Sequence, residues 1–177
     1  MSGEIDRTVR FDMDVAVDVG SYSSAVPDDP LGGLTVYFTL LEPQTIYDNP
    51  MSARWGARLG ISGYFSGEND FVDLTPDREI SAKRSTLPAG EGVSGVRAFL
   101  GLDLNVPVSD IVSLRFSPGA VVKYDDFNLW DYGVGVVSAL MVDLAASAVF
   151  ILHFTSDIYT RDRTEQFIAG LGLGFTI

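Results

Sequence analysis

Residues 8 to 20, Thr-Val-Arg-Phe-Asp-Met-Asp-Val-Ala-Val-Asp-Val-Gly, hold a period of two for thirteen residues. Val9, Phe11, Met13, Val15, Val17 and Val19 fall on one face without a charge. Thr8, Arg10, Asp12, Asp14, Ala16, Asp18 and Gly20 fall on the other. Side chains of a strand point alternately to its two faces, so the pattern dictates a strand with one apolar and one charged side. Globular strands average about 5 to 6 residues, whereas a tilted strand needs about 9 to 11 to cross a bilayer. Length and regularity together point to a membrane-crossing strand.

The alternation recurs seven more times, at about 33–41, 53–65, 93–106, 111–124, 130–142, 146–156 and 166–177. The segment at 146–156 is the least regular, because Ala148 to Leu152 is continuously apolar. Pro118 removes one ladder donor inside the fifth strand, where a bulge or local weakness is expected. The connections are unequal: 21–32, 66–92, 125–129 and 157–165 on one side, and 42–52, 107–110 and 143–146 on the other. Apart from 42–52, which breaks the rule, long loops at one end and tight turns at the other give the layout of an outer-membrane barrel. No run of about 18 apolar residues appears, so a transmembrane helix is excluded.

A soluble barrel also alternates, with its apolar face inward. Two features argue against that arrangement. The apolar face carries no Asp, Glu, Lys or Arg in any strand and is bulky throughout, more than an eight-stranded interior holds. The other face is small, rich in Gly and Ser, and carries Arg10, Arg54, Arg58, Arg97, Arg115 and Lys123 against Asp12, Asp14, Asp18, Asp103 and Asp143. Near-balanced charges suit a narrow interior, where each buried charge needs a partner. The expected fold is all-β: a closed, eight-stranded, antiparallel up-and-down transmembrane barrel. It forms a single domain over 1–177, with 1–7 a flexible tail, and is monomeric.

Composition narrows the partners. The net charge of −12 disfavours nucleic acid. The chain has no cysteine, so neither disulfides nor thiol-ligated metal are expected. Acids at Asp28, Asp29, Asp70, Asp73, Asp125 and Asp126 lack calcium-loop spacing, and no metal or cofactor is expected. The start, Met-Ser-Gly-Glu-Ile-Asp, has no basic or apolar leader. A secretory signal is expected to have been removed, with Met1 an added start.

The end of the chain, Gly170-Leu-Gly-Leu-Gly-Phe-Thr-Ile177, is an alternating strand with an aromatic third from the end. Here the chain resembles the small eight-stranded Gram-negative outer-membrane barrels, the OmpA-, OmpX- and OmpW-like group, over about residues 8 to 177. The resemblance implies that Gly172, Phe175 and Ile177 form a signal read by the barrel-assembly machinery. Ile177 stands where that group usually has Phe, and Gly170 where it usually has a polar residue. Tyr124, Trp130 and Tyr132 beside one loop, and Trp55 and Phe175 near the opposite rim, fit the aromatic girdles of such barrels.

The inward charges Arg10, Asp12, Asp14, Asp18, Arg54, Arg58, Arg97, Asp103, Arg115, Lys123 and Asp143 form an expected interior ion-pair network that plugs the barrel. The implied role is structural, anchoring or surface contact, through the 66–92 loop. The environment is outer-membrane lipid and lipopolysaccharide, with the N-terminus periplasmic. The alternative is a narrow OmpW-like conduit for small solutes. A third reading is lipid A modification. His153 is the sole histidine, and Leu152-His153-Phe154-Thr155-Ser156 resembles the His-x-Ser of outer-membrane deacylases, with Glu165 as the acid. A histidine could take a hydroxyl proton there. Thr155 replaces the serine, however, and the phase turns His153 inward, so no catalytic residue is assigned.

Overall fold

The computed structural model describes residues 8–23, 29–44, 51–66, 94–125, 130–145, 147–160 and 165–176. The expected tail 1–7, Ile177 and nearly all of the 66–92 loop lie outside the described residues. Eight strands follow in chain order: β1 (Thr8–Ser23), β2 (Asp29–Gln44), β3 (Arg54–Ser66), β4 (Ser94–Pro107), β5 (Val112–Asp125), β6 (Trp130–Ala145), β7 (Ala148–Tyr159) and β8 (Glu165–Thr176). Each pairs antiparallel with its chain neighbours, and β8 pairs with β1 to close the barrel.

The register sets the shape. A path straight across the ladders runs Met13, Phe38, Leu59, Leu100, Ala120, Val134, Ile158, Glu165 and returns to β1 at Ser23, ten residues above its start. With a rise of about 3.3 Å per residue and strands about 4.8 Å apart, that shear tilts the strands by about 40° and gives a backbone radius of about 8 Å. At that tilt the 12-residue β7 and β8 rise about 30 Å along the axis.

The faces separate cleanly. Between the rims the described outward side chains are aliphatic or aromatic apart from Ser138 and Ser156, and large ones stand bare, Val17 at 65% and Leu100 at 63% exposed. Among the described residues, the only charges on outward side chains, Glu42 and Glu165, sit at the rims. Inward side chains alternate with them and are buried, down to 0% for Arg58 and Arg97.

Glycines make the narrow interior passable. A Cβ at Gly101 or Gly119, which face each other across β4 and β5, would meet the Phe99 ring at 2.6 and 2.8 Å. A Cβ at Gly60 would stand 2.5 Å from the Tyr37 ring. Interior aromatic rings lie flat against bare backbone, which is why glycine sits inside the periodic segments.

Several expected boundaries shift. The connection placed at 21–32 is mostly strand: pairing continues to Tyr22 opposite Asp29, leaving 24–28 between β1 and β2. Its Ser, Pro and Gly content reads as loop. Yet Pro30 lies beyond the last described β2–β3 pair, Leu31 with Ser66, where a missing N–H costs no ladder bond on that side. β7 runs on to Tyr159, so Asp157 is strand and not loop. Pro118 causes no bulge. The β4–β5 ladder lapses between Gly101–Gly119 and Leu104–Phe116 without changing register, while β5–β6 continues through Pro118 opposite Val136. The Ser117 hydroxyl bridges the lapse by donating to Asp103 Oδ1 at 2.5 Å.

Gly119→Val would press a side chain onto the Leu100 carbonyl oxygen, 2.4 Å from the new Cβ, and onto Phe99. A loss of about 1–3 kcal/mol is expected. It is read as a lower urea midpoint of the detergent-refolded protein; an unmoved midpoint contradicts the packing described.

Candidate functional site in the barrel interior

The interior is filled in tiers. Towards the end where the chain enters β1, five charges from four strands interlock. Arg115 on β5 reaches across the lumen to β1, donating to Asp12 Oδ2 at 2.6 Å and Asp14 Oδ2 at 3.2 Å. Its Nε lies 3.3 Å from Asp103 Oδ2. Arg58 on β3 donates to Asp14 Oδ2 at 2.9 Å, has Nη1 3.8 Å from Asp103 Oδ1, and lies 4.2 Å over the Tyr37 ring. Thr176 donates to Asp12 Oδ1 at 3.0 Å. Beside this cluster, β6 and β7 contribute an apolar wedge of Ala139, Met141, Val149 and Ile151.

The middle tier holds Asp18. It accepts from the Thr35 hydroxyl and lies 2.8 Å from His153 Nε2. Thr35 Oγ1 is in turn 2.7 Å from Ser62 Oγ. Gly170 is needed beside them, since a Cβ there would stand 1.9 Å from His153 Nε2. Tyr37, Phe99, Val121, Val137 and Tyr159 pack as one buried apolar cluster.

Nearer the loop end, Arg97 holds Asp157 with two bonds, Nε to Oδ2 and Nη2 to Oδ1, the latter 2.9 Å. The Tyr159 hydroxyl lies 3.3 Å from Asp157 Oδ2 and 3.1 Å from Gln166 Oε1. Lys123 Nζ sits 4.4 Å over the Tyr159 ring. Bidentate Arg–carboxylate pairs are the most directional of ionic contacts, so this pair fixes β4 against β7 across the lumen.

Of the sequence-predicted network, the interior brings together Asp12, Asp14, Asp18, Arg58, Arg97, Asp103, Arg115 and Lys123, all buried. Two residues depart from it. Asp143 keeps the lumen phase opposite buried Val149, but it lies near the end of β6, next to the register shift between Asp143 and Ala145, and is exposed at the rim. Arg54 is only half-buried at the rim, where Nη2 donates to the Glu42 carbonyl oxygen at 2.5 Å. Arg10 lies on β1 and its side chain is outside the described set. Sequence reasoning missed Asp131 and Asp157, both buried inside. The phase of His153 and Thr155 runs straight on to Asp157, so the signal was present but was cut off by a strand ended at 156. Among the described buried residues, six carboxylates (Asp12, Asp14, Asp18, Asp103, Asp131, Asp157) face four permanent cations (Arg58, Arg97, Arg115, Lys123). The excess of acid explains why Asp18 is held by an imidazole and a hydroxyl rather than by a guanidinium.

The residues considered for catalysis do not assemble. His153 and Thr155 both point into the lumen, where Thr155 Oγ1 is 3.3 Å from the Tyr37 hydroxyl and His153 faces Asp18. Glu165 is exposed at the loop end of β8. Outside the barrel, Trp55, Trp130 and Tyr132 stand exposed, and Tyr124 packs on Trp130 with ring centroids 4.8 Å apart.

No protein-family model and no curated protein sequence matches the chain. Solved structures do. Ail, the attachment invasion locus protein of Yersinia pestis, aligns over 96% of this chain and 99% of its own at 10% identity, with TM-score 0.59. Neisserial surface protein A aligns over 94% and 96% at 8% identity, TM-score 0.58. The outer membrane enzyme PagL aligns over 93% and 98% at 12% identity, TM-score 0.53. The chain has the fold of the small outer-membrane barrels. Ail has also been solved with the heparin analogue sucrose octasulfate.

Arg115→Ala would leave Asp12, Asp14 and Asp103 facing one another without their shared cation. A loss of about 3–5 kcal/mol is expected, and Arg58→Ala should also destabilise. Unfolding midpoints in detergent check this, and Asp14→Asn should recover part of the Arg115→Ala loss. A neutral Arg115→Ala contradicts the account.

Proposed function

We propose that the chain is an integral outer-membrane barrel with a plugged lumen, serving a structural, anchoring or surface-contact role. The observation that carries this is the filling of the interior. Buried apolar side chains and ion pairs occupy it from Asp12 to Tyr159, all of them at most a few per cent exposed. Such a barrel offers its ends to partners rather than its lumen to solutes.

The membrane setting rests on the outer wall. Following the register at a 40° tilt, Trp55 and Phe175 lie about 25 Å below the level of Tyr132, with Tyr124 and Trp130 close to that upper level. The charge-free wall between has the height of the apolar band of outer-membrane barrels, about 25 Å, and the two aromatic levels serve as its girdles. The chain enters β1 and leaves β8 at the periplasmic end, by analogy with the small barrels. The connections 24–28, 67–93, 126–129 and 161–164 then leave from the outer end, the 66–92 segment being the principal contact surface. Gly172, Phe175 and Ile177 serve as the assembly signal, and lipopolysaccharide and other outer-membrane lipids surround the wall. The net charge of −12 makes a polyanion of the kind solved with Ail a poor ligand here. An inward His153 paired with Asp18 supports a structural role over acyl-chain hydrolysis.

Two measurements test the proposal. Refolded protein in a planar bilayer should be electrically silent; discrete conductance steps would favour the narrow conduit instead. Leu100→Arg, placed on the wall between the aromatic levels, should cost about 2–4 kcal/mol in vesicles. A substitution tolerated without loss would take the wall out of the hydrocarbon.

A further inference from the structure

Ser138 on β6 and Ser156 on β7 are the only polar side chains on the outward face between the two aromatic levels, among the described residues. Neither hydroxyl meets a hydrogen-bond partner among those residues. They are diagonal neighbours, since Ser138 lies opposite Phe154 and Ser156 opposite Val136. Together with Val136, Phe154, Phe167 and Ala169 they line a groove of about 390 Å³.

We propose that this groove is the interface between two copies of the chain, side by side in the membrane about a two-fold axis along the membrane normal, in place of the monomer expected from the sequence. The inference rests on the membrane reading above. Depth decides the occupant. Ser156 lies about 7 Å and Ser138 about 15 Å below the Tyr132 level, so both fall within about 5 Å of mid-height in a 25 Å band. Lipid headgroups sit at the aromatic levels and do not reach that depth. The hydrocarbon around mid-height offers neither donor nor acceptor. A hydroxyl there is unfavourable until another polypeptide supplies its partner.

A second copy supplies it by symmetry. The strand tilt offsets the diagonal, so Ser156 stands almost directly above Ser138 along the normal, about 8 Å apart. A two-fold axis parallel to the normal, running in front of this column, returns every depth to itself. It therefore brings Ser138 against Ser138 of the other copy and Ser156 against Ser156, the self-complementary pairing that a two-fold interface requires. The Phe154 and Phe167 rings flank the column and close the contact around it. No base faces the serines, because His153 and Thr155 point to the opposite side of β7, so the groove is built for contact and not for hydrolysis.

The chain has no cysteine, so each introduced thiol reports alone. In vesicles of outer-membrane lipid extract, oxidised Ser138→Cys should form disulfide-linked dimers, while Leu59→Cys on the far wall should not. Resonance energy transfer between labelled copies, titrated against lipid, should show association of the natural chain. The Ser138→Ala, Ser156→Ala double variant should associate about tenfold more weakly, the scale of two intramembrane polar pairs. Both alanines lie on the outer wall, so a boiled-versus-unboiled gel shift should show the variant folded. An inserted, heat-modifiable chain that stays monomeric at all dilutions overturns the interface alone. So does a double variant that associates as well as the natural chain. A chain that does not insert overturns the membrane reading together with it.

Discussion

Every other feature depends on the closure of the backbone hydrogen-bond ladder. A sheet surrounded by hydrocarbon cannot leave an edge, because each unpaired N–H or C=O costs several kcal/mol there. β1 meets that demand by pairing with both β2 and β8. Eight strands closed at a shear of ten leave a tube only about 8 Å in backbone radius. The narrowness dictates the glycines, because rings such as Phe99 and Tyr37 fit only against strands without a Cβ. It dictates the charges as well, because no buried group inside such a tube can reach bulk water without crossing its neighbours.

The interior charges act as struts. Arg115 joins β5 to β1 on the opposite side of the ring, and Arg97 joins β4 to β7. These contacts join strands that share no ladder, so they resist flattening of the tube in a way that hydrogen bonds between neighbours do not. Burying ion pairs is costly and adds little net stability, but removing one partner is worse. The network therefore fixes one shape more than it strengthens it. The apolar wedge of Met141, Val149 and Ile151 fills the lumen on the β6 and β7 side. This division explains why β7 read as the least regular strand: both its faces are apolar near its start.

The fold was legible in the sequence because the period of two is physical. Val17, Leu100 and Leu171 had to share a face with their neighbours, and Asp14, Arg58 and Arg115 the other. Boundaries were legible only where composition followed pairing. Pro30 and the serines of 21–32 suggested a loop, yet Ser21 and Ser23 pair with β8, and Pro30 lies beyond the last described β2–β3 pair. The partners inside were not legible. Which carboxylate meets which arginine depends on shear, and shear appears only once register is known. Asp157 was missed for a simpler reason, a strand ended one residue short of it, and Asp143 shares the lumen phase but lies at the rim, where it is exposed. His153 was placed inward by phase, but its partner Asp18 lies 135 residues away in sequence.

The central claim is that the bulky, charge-free face meets hydrocarbon while the charged face is sealed inside. Contacts between lipid acyl protons and methyl groups in a nanodisc, measured by nuclear Overhauser effects, test it most directly. Leu59, Leu100, Val134 and Leu171 should show lipid contacts, and Val121, Val137 and Ile151 should show none. Lipid contacts on the second set, or water contacts along the first, would contradict the account.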